Sequence, residues 1–280
     1  MASVNSNISE YQSTPQPGEN RKVEEPRGEK SQMDVNEAEN KLDTKTGTQN
    51  PVGCLKTCDY PKTVYFAAAL FSYQELAGNI LLGEAIERVS HGRYKIILPQ
   101  NGEQDSNRGK DIRDDDLASV AKCDMILLNY DGTEICAGCV VEQQFARDLD
   151  KPAVVVRTDF RRSGDCDIPY NLMAGYNPRT ELVIIHSMYE LKKADEQVDN
   201  NLSMLDRNKK IQLLMADSVA SQITLALDKV AVTKSIMPIE HREIIQEWAI
   251  KKLEIGPRYA AEILASLKEQ NSRVHHPQIL

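Results

Sequence analysis

Nothing in this chain approaches the run of about 20 apolar residues that crosses a bilayer. The stretch Met1 to Arg21 is polar and lacks the apolar core of a secretory signal. A soluble, cytoplasmic protein with no membrane partner is the expectation. Positive charge is also short: 34 Lys and Arg stand against 42 Asp and Glu, for a net charge of -8. A surface built to neutralise phosphate backbones shows as a basic patch or stripe, so no nucleic acid polymer is expected as a partner. Cysteine is sparse, with 6 in 280 residues, too few for a disulfide scaffold. Cys54 with Cys58 and Cys136 with Cys139 supply the number of thiolates a zinc ion takes. The first pair, however, has a three-residue gap and the second lies in a Gly-containing turn. Buried or incidental thiols are favoured, and neither a metal nor a cofactor is expected.

What is present divides the chain into three. From Met1 to about Thr57 the sequence is rich in Ser, Asn, Gln, Glu, Lys and Pro and cannot bury enough apolar surface to offset the entropy of ordering it. A disordered tail over residues 1–60 follows. Thr63–Ala69 is a short apolar run that reads as a buried strand, and Phe71–Val89 carries apolar residues at helical spacing. Tyr94–Leu98 is a second strand, ended by Pro99, and the polar loop Gln100–Arg113 is long enough for a lid or binding loop. Asp114–Lys122 reads as a short helix with acids in its first turn, where they favour the dipole. A strand at Asp124–Tyr130, a helix at Val140–Leu149, and strands at Pro152–Arg157 and Glu181–His186 complete the pattern. Strands alternating with helices and lacking hairpin signals predict an α/β fold over residues 61–190: a flavodoxin- or Rossmann-like, doubly wound parallel sheet of five strands. Ligands in such folds sit beyond the carboxyl ends of the strands. Residues 191–280 read as a helical extension, with amphipathic helices at Lys209–Ala231, Pro238–Leu253 and Tyr259–Lys268. Three roles stay open for it: packing on the domain, a subunit interface, which is slightly favoured, or a partner-binding bundle.

Polar residues concentrate at the strand ends. Phe71 and Tyr73 follow the first strand, and Asp116 precedes the third. Tyr130 to Cys139 follows the third, and Glu142 stands in what reads as the first turn of the next helix. A carboxylate beside unpaired helix N–H groups is stabilised as an anion, which suits a nucleophile. Each residue also has a structural reading: Glu142 as an ordinary first-turn glutamate, Asp116 as a solvated member of Asp114-Asp115-Asp116, Tyr65 as a core aromatic, and Asn171 as a turn residue after Ile168-Pro169-Tyr170.

In order and spacing, these residues carry a resemblance. Val64-Tyr65-Phe66-Ala67-Ala68-Ala69-Leu70-Phe71, Asp116-Leu117 eight residues before Asp124-Met125-Ile126-Leu127, Gly138 with Glu142 and Ala146, and Asn171-Leu172-Met173 resemble the nucleoside 2-deoxyribosyltransferases over about Lys62 to His186. The resemblance implies double displacement: Glu142 attacks the anomeric carbon of a 2′-deoxynucleoside, the base leaves, and a second base or water attacks the ester. It implies that Asp116 holds the nucleobase and shuttles its proton, and that Tyr65 orients the nucleophile. Asn171 would reach a neighbouring subunit's site, so a homo-oligomer is implied. Phe71 and Met173 would lie against base or sugar, although a core role for Phe71 is equally compatible. Cys136 stands six residues before Glu142, where many family members have an aspartate that binds the base. Thiol and carboxylate differ in charge and hydrogen bonding, so either Asp131 or Glu134 compensates or base recognition differs. Ser72 follows Phe71 without the basic cluster that would bind a phosphate. The implied partners are a small deoxynucleoside and a free nucleobase. Two other activities remain open: an N-glycoside hydrolase of nucleosides or nucleotides, and a catalytically silent nucleotide-binding module.

Overall fold

The structure is a computed structural model that describes residues 60–102, 107–162, 164–165 and 168–275. The segment before Tyr60, with the tail expectation and with Cys54 and Cys58, lies outside the described residues, as do residues 103–106 of the expected binding loop.

Five strands form one parallel sheet in the order β2-β1-β3-β4-β5, with β1 at Lys62–Ala67, β2 at Tyr94–Ile97, β3 at Met125–Asn129, β4 at Ala153–Arg157 and β5 at Thr180–Ile184. The register pairs Val64 with both Ile96 and Met125, and Leu127 with Val154. Helices α1 (Tyr73–Val89), α2 (Gly109–Lys122) and α3 (Ala137–Asp148) connect the first four strands. The chain leaves β1 outward to β2 and returns on the other side as β3, so the strand order reverses between β1 and β3. In doubly wound sheets the carboxyl end of that crevice is where ligands bind.

The strand period of two divides the core. Val64, Phe66, Met125, Leu127, Val154 and Val156 point to one face, covered by α1 and by α5 (Met204–Ala231). Tyr65, Ala67, Ile126, Leu128, Ala153 and Val155 point to the other, covered by α2, α3, α6 (Ile239–Lys251) and α7 (Pro257–His275). Burial on both sides is why β1, β3 and β4 read as continuous apolar runs. On α5, Ile223, Leu227 and Val230 are almost wholly buried, each contributing roughly 1.5–3 kcal/mol of apolar transfer. Of the three roles left open for the C-terminal helices, packing on the sheet is the one seen. A helix the periodicity did not reveal, α4 at Ser187–Glu196, leads from β5 into α5.

Three helix starts come three to five residues earlier than expected: α5 opens at Met204 rather than Lys209, and the other two move the acids. α2 begins at Gly109, five residues before Asp114, so Asp111 is its first-turn acid and the loop before it is shorter. Asp114 is instead buried at 2% exposure and held by Lys110 Nζ at 3.0 Å and Arg113 Nη1 at 2.9 Å. The Lys110–Asp114 pair at i,i+4 extends the helix toward its N-terminus. α3 begins at Ala137, with Cys136 as its N-cap. Among the described residues no helix is long and apolar enough to cross a membrane.

Candidate active site

Three elements converge at the carboxyl end of β1 and β3. The pleat turns Tyr65 toward α2 and α3, where it is wholly buried and donates its hydroxyl to Glu142 Oε1 at 2.6 Å. Asp116 on α2 is close enough to act electrostatically on both Tyr65 and Glu142. Cys139, 2% exposed on α3, is within hydrogen-bonding reach of the Glu142 carboxyl. The sequence reading of Glu142 as a first-turn anion is corrected here: because α3 starts at Ala137, Glu142 sits in the second turn, below the unpaired N–H groups. Burial dominates its electrostatics and pushes its pKa up to about 7; Asp116 adds to the rise, while the Tyr65 and Cys139 donors oppose it. Burial, and then the charge of Asp115, also raises the pKa of Asp116. Burial raises that of Tyr65 far above the usual phenol value, with the charge of Glu142 adding to it, so Tyr65 stays a neutral donor. A desolvated, half-neutralised carboxyl held by a phenol and facing a second carboxyl can serve as nucleophile or proton carrier.

The other predicted residues have varied placements. Phe71 is 81% exposed, which removes the core reading; its N–H and that of Ser72 donate to Glu75 Oε2 in a capping box that opens α1. Ser72 is thereby the cap of α1, accepting from Glu75 N at 3.2 Å. Met173 is likewise 81% exposed, and the Asn171 side chain accepts from its N–H at 2.9 Å, capping the short turn Leu172–Ala174. Gly138 is exposed in the first turn of α3, and Cys136 is half-buried in contact with Cys139. Asp131 is committed to holding backbone, since its carboxylate accepts from Thr158 N, Thr158 Oγ1 and Asp159 N at 2.6, 2.7 and 2.8 Å. Both oxygens tie the loop after β3 to the loop after β4. Glu134, the alternative to it, is exposed.

Sequence reasoning missed the groups that hold this rim. Arg157 ends β4 at 0% exposure, and its guanidinium donates to the carbonyls of Tyr130, Gly132 (3.0 Å) and Arg161 (3.1 Å). An arginine closing a strand of valines was the available signal. Gln143, next to Glu142 and 3% exposed, accepts from Tyr130 Oη at 2.9 Å and donates to Ala174 O at 3.1 Å, fixing the Asn171–Ala174 turn to α3. Asn79, 6% exposed on α1, donates to Ala69 O at 3.0 Å and so pins the loop after β1. Two recesses lie elsewhere. One of about 630 Å³ runs along β5 and α5, lined by Glu181, Ile184, Leu225 and Lys229. One of about 200 Å³ lies between α2 and the α6–α7 turn, lined by Asp111, Asp114, Asp115 and Glu254. Neither includes Glu142, and neither gathers a buried nucleophile with a proton carrier; the chemistry points to the β1/β3 crevice.

The stretch that builds this crevice is also the stretch with relatives among known proteins. The family model described as Nucleoside 2-deoxyribosyltransferase matches residues 64–173. Among solved structures, a conserved protein from Enterococcus faecalis V583 is 22% identical, over 59% of this chain and 98% of that one, with a TM-score of 0.37. A 2-desoxiribosyltransferase from Leishmania mexicana is 20% identical, over 43% of this chain and 90% of that one, with a TM-score of 0.35. No curated protein matches the chain.

Proposed function

We propose, from the premise that residues 64–173 are a domain of the nucleoside 2-deoxyribosyltransferase family, that this chain exchanges the nucleobase of 2′-deoxynucleosides through a covalent ester on Glu142. The observation that carries the reading is the 2.6 Å hydrogen bond from the buried Tyr65 hydroxyl to Glu142 Oε1, with Asp116 acting on both. Tyr65 fixes one carboxylate oxygen and leaves the other for attack. That oxygen bonds to C1′ as the C1′–N bond breaks, and the departing base takes its proton from Asp116, whose hold on a proton burial strengthens. An incoming base attacks C1′ from the face the first one left, returns its proton to Asp116 and frees Glu142.

Only the ionised form of Glu142 attacks, so kcat/KM rises with pH through about 7, and because the departing base needs the Asp116 proton it falls again once that proton is lost. We read residues 61–190 as the catalytic domain and 191–280 as an extension packed on it. We also include in the proposal a homo-oligomer in which Asn171 reaches a neighbour's site. Mixing Asn171→Ala with Glu142→Ala protein restores exchange if the residue works between subunits; no recovery on mixing places its action within one chain. The central experiment incubates the protein with a deoxynucleoside and a different free base. The exchanged nucleoside is expected, together with a deoxyribosyl adduct on Glu142 in the intact mass. Accumulation of free sugar with no exchanged nucleoside would replace this reading with a hydrolase.

A further inference from the structure

α3 opens on Cys136-Ala137-Gly138-Cys139, two thiols separated by two residues at a helix N-terminus inside a β-α-β unit. Dithiols with that spacing and setting act as redox couples, because the turn brings the sulfurs together and the unpaired N–H groups favour the attacking thiolate. Two further observations distinguish this pair from incidental cysteines. Cys136 is the cap, at φ -62 and ψ 119, and Cys139 stands three residues on in the first turn, close enough for the two thiols to interact. Access is unequal: Cys136 is half-buried while Cys139 is sealed at 2% exposure, three residues before Glu142 on the same helix and acting on its carboxyl.

We propose that Cys136 and Cys139 form a reversible disulfide, by exchange with a small disulfide such as glutathione disulfide, and that its formation switches the Glu142 site off. The functional consequence rests on the reading of Glu142 as nucleophile; formation of the disulfide does not. Cys136 sulfur, as thiolate, attacks one sulfur of the small disulfide and releases one small thiol. Cys139 sulfur then attacks Cys136 sulfur, giving up its proton to the adjoining Glu142 carboxylate and releasing the second small thiol. Two protein thiols are oxidised and one small disulfide is reduced, so atoms and electrons balance. In the disulfide Cys139 has no S–H to donate, and Glu142 keeps only Tyr65 as a side-chain donor. The groups facing Glu142 are Tyr65 from β1, Asp116 from α2, Tyr130 from the end of β3 and Cys139 on its own helix. Asp116 is the carboxyl among them, so loss of a donor moves ionisation of Glu142 to higher pH.

The test holds the full chain in millimolar glutathione disulfide or in a reducing dithiol and reads two properties that need no enzymatic activity. The first is the intact mass with peptide mapping, where the oxidised protein should be lighter by two hydrogens within the peptide holding Cys136 and Cys139. The second is the carboxyl-carbon NMR titration of Glu142 in glutamate-labelled protein, assigned with Glu142→Gln. Its midpoint should rise by about one pH unit on oxidation and return on reduction, as loss of one hydrogen bond to a charged group implies. Base exchange at neutral pH should fall about fivefold in step, as the ionised fraction of Glu142 does. Cys136→Ser should remove the oxidation response of both properties. No disulfide between these residues, or a disulfide that leaves the Glu142 midpoint unmoved, overturns the inference. A disulfide and a moved midpoint in a protein that exchanges no bases upholds the switch and sinks the transferase reading instead.

Discussion

On β1, Val64 and Phe66 turn toward α1 and α5, while Tyr65 and Ala67 turn toward α2 and α3. The same alternation runs through β3 and β4, so one sheet presents two differently built faces. The α1/α5 face packs Val64, Phe66, Met125, Leu127, Val154 and Val156 against Ala85, Ile86, Ile223 and Leu227. The other is apolar at its centre, but its carboxyl rim holds the Tyr65 and Tyr130 hydroxyls, the Gln143 amide, the Cys139 thiol and the carboxyl of Glu142. Burying hydroxyls and a carboxyl costs free energy unless each finds a partner. The rim therefore carries hydrogen bonds that the first face does not need. Both faces are buried cores, and the polar groups of the proposed site gather on one side of the strands alone.

The largest test of that division removes the proposed nucleophile. Glu142→Ala should lower the initial rate of base exchange by about a thousandfold or more, because binding energy does not replace a missing covalent step. A variant retaining a tenth of the parent rate would end the proposed mechanism. On the opposite face, Leu127→Ala deletes a wholly buried side chain and should destabilise the protein by about 2–5 kcal/mol in denaturant melts. The pH at which exchange is half-maximal should stay the same in that variant. If the pH midpoint moves with stability, the two faces are not independent.

How much of this the sequence disclosed depends on the range of the forces involved. Strand existence and order of elements follow from local apolar runs such as Met125–Leu128 and Val154–Val156, and were legible. Helix starts were not. Residues 109–113, with Ile112 alone apolar among them, gave no apolar period, yet they complete a turn once Lys110 meets Asp114, and Cys136 carries none of the usual cap chemistry. The convergence of Tyr65, Asp116 and Glu142 was legible only as a resemblance, since 77 residues separate Tyr65 from its partner. The clamps by Arg157, Gln143 and Asn79 depend on which carbonyls the fold leaves at the rim, which no local pattern encodes. Asp131 illustrates the reverse: a carboxylate in a candidate loop that long-range geometry commits to holding backbone.

A smaller effect separates function from stability at one position. Glu142 has a folded pKa of about 7 against an ordinary 4.5, so between those values the folded state binds more protons than the unfolded one. Stability from this group is complete below about pH 4.5 and is lost as pH rises through about 7. The full gap corresponds to a cost on the order of 3 kcal/mol. Glu142→Gln removes the titration while keeping the shape. It should match the parent in stability near pH 4.5 and exceed it by up to that amount at pH 8, while being inactive at both. A stability difference independent of pH would show that Glu142 is not desolvated in the folded protein.

The smallest and most discriminating change is Tyr65→Phe, which deletes one hydroxyl from the rim and leaves the ring packed between the helices. If Tyr65 served only the core, exchange rate and pH profile would stay close to the parent's. As the donor to Glu142 Oε1, its hydroxyl favours the carboxylate against burial, so its loss should raise the Glu142 pKa further. The rising limb of kcat/KM then moves above pH 7, and the rate at neutral pH falls about tenfold, the scale of one hydrogen bond to a charged group. Above the new midpoint part of the rate returns, because the carboxylate re-forms even without its donor. A rate that falls equally at every pH would instead assign Tyr65 to alignment of the attacking oxygen. The shape of the pH profile, more than the size of the loss, decides which of the two the phenol does.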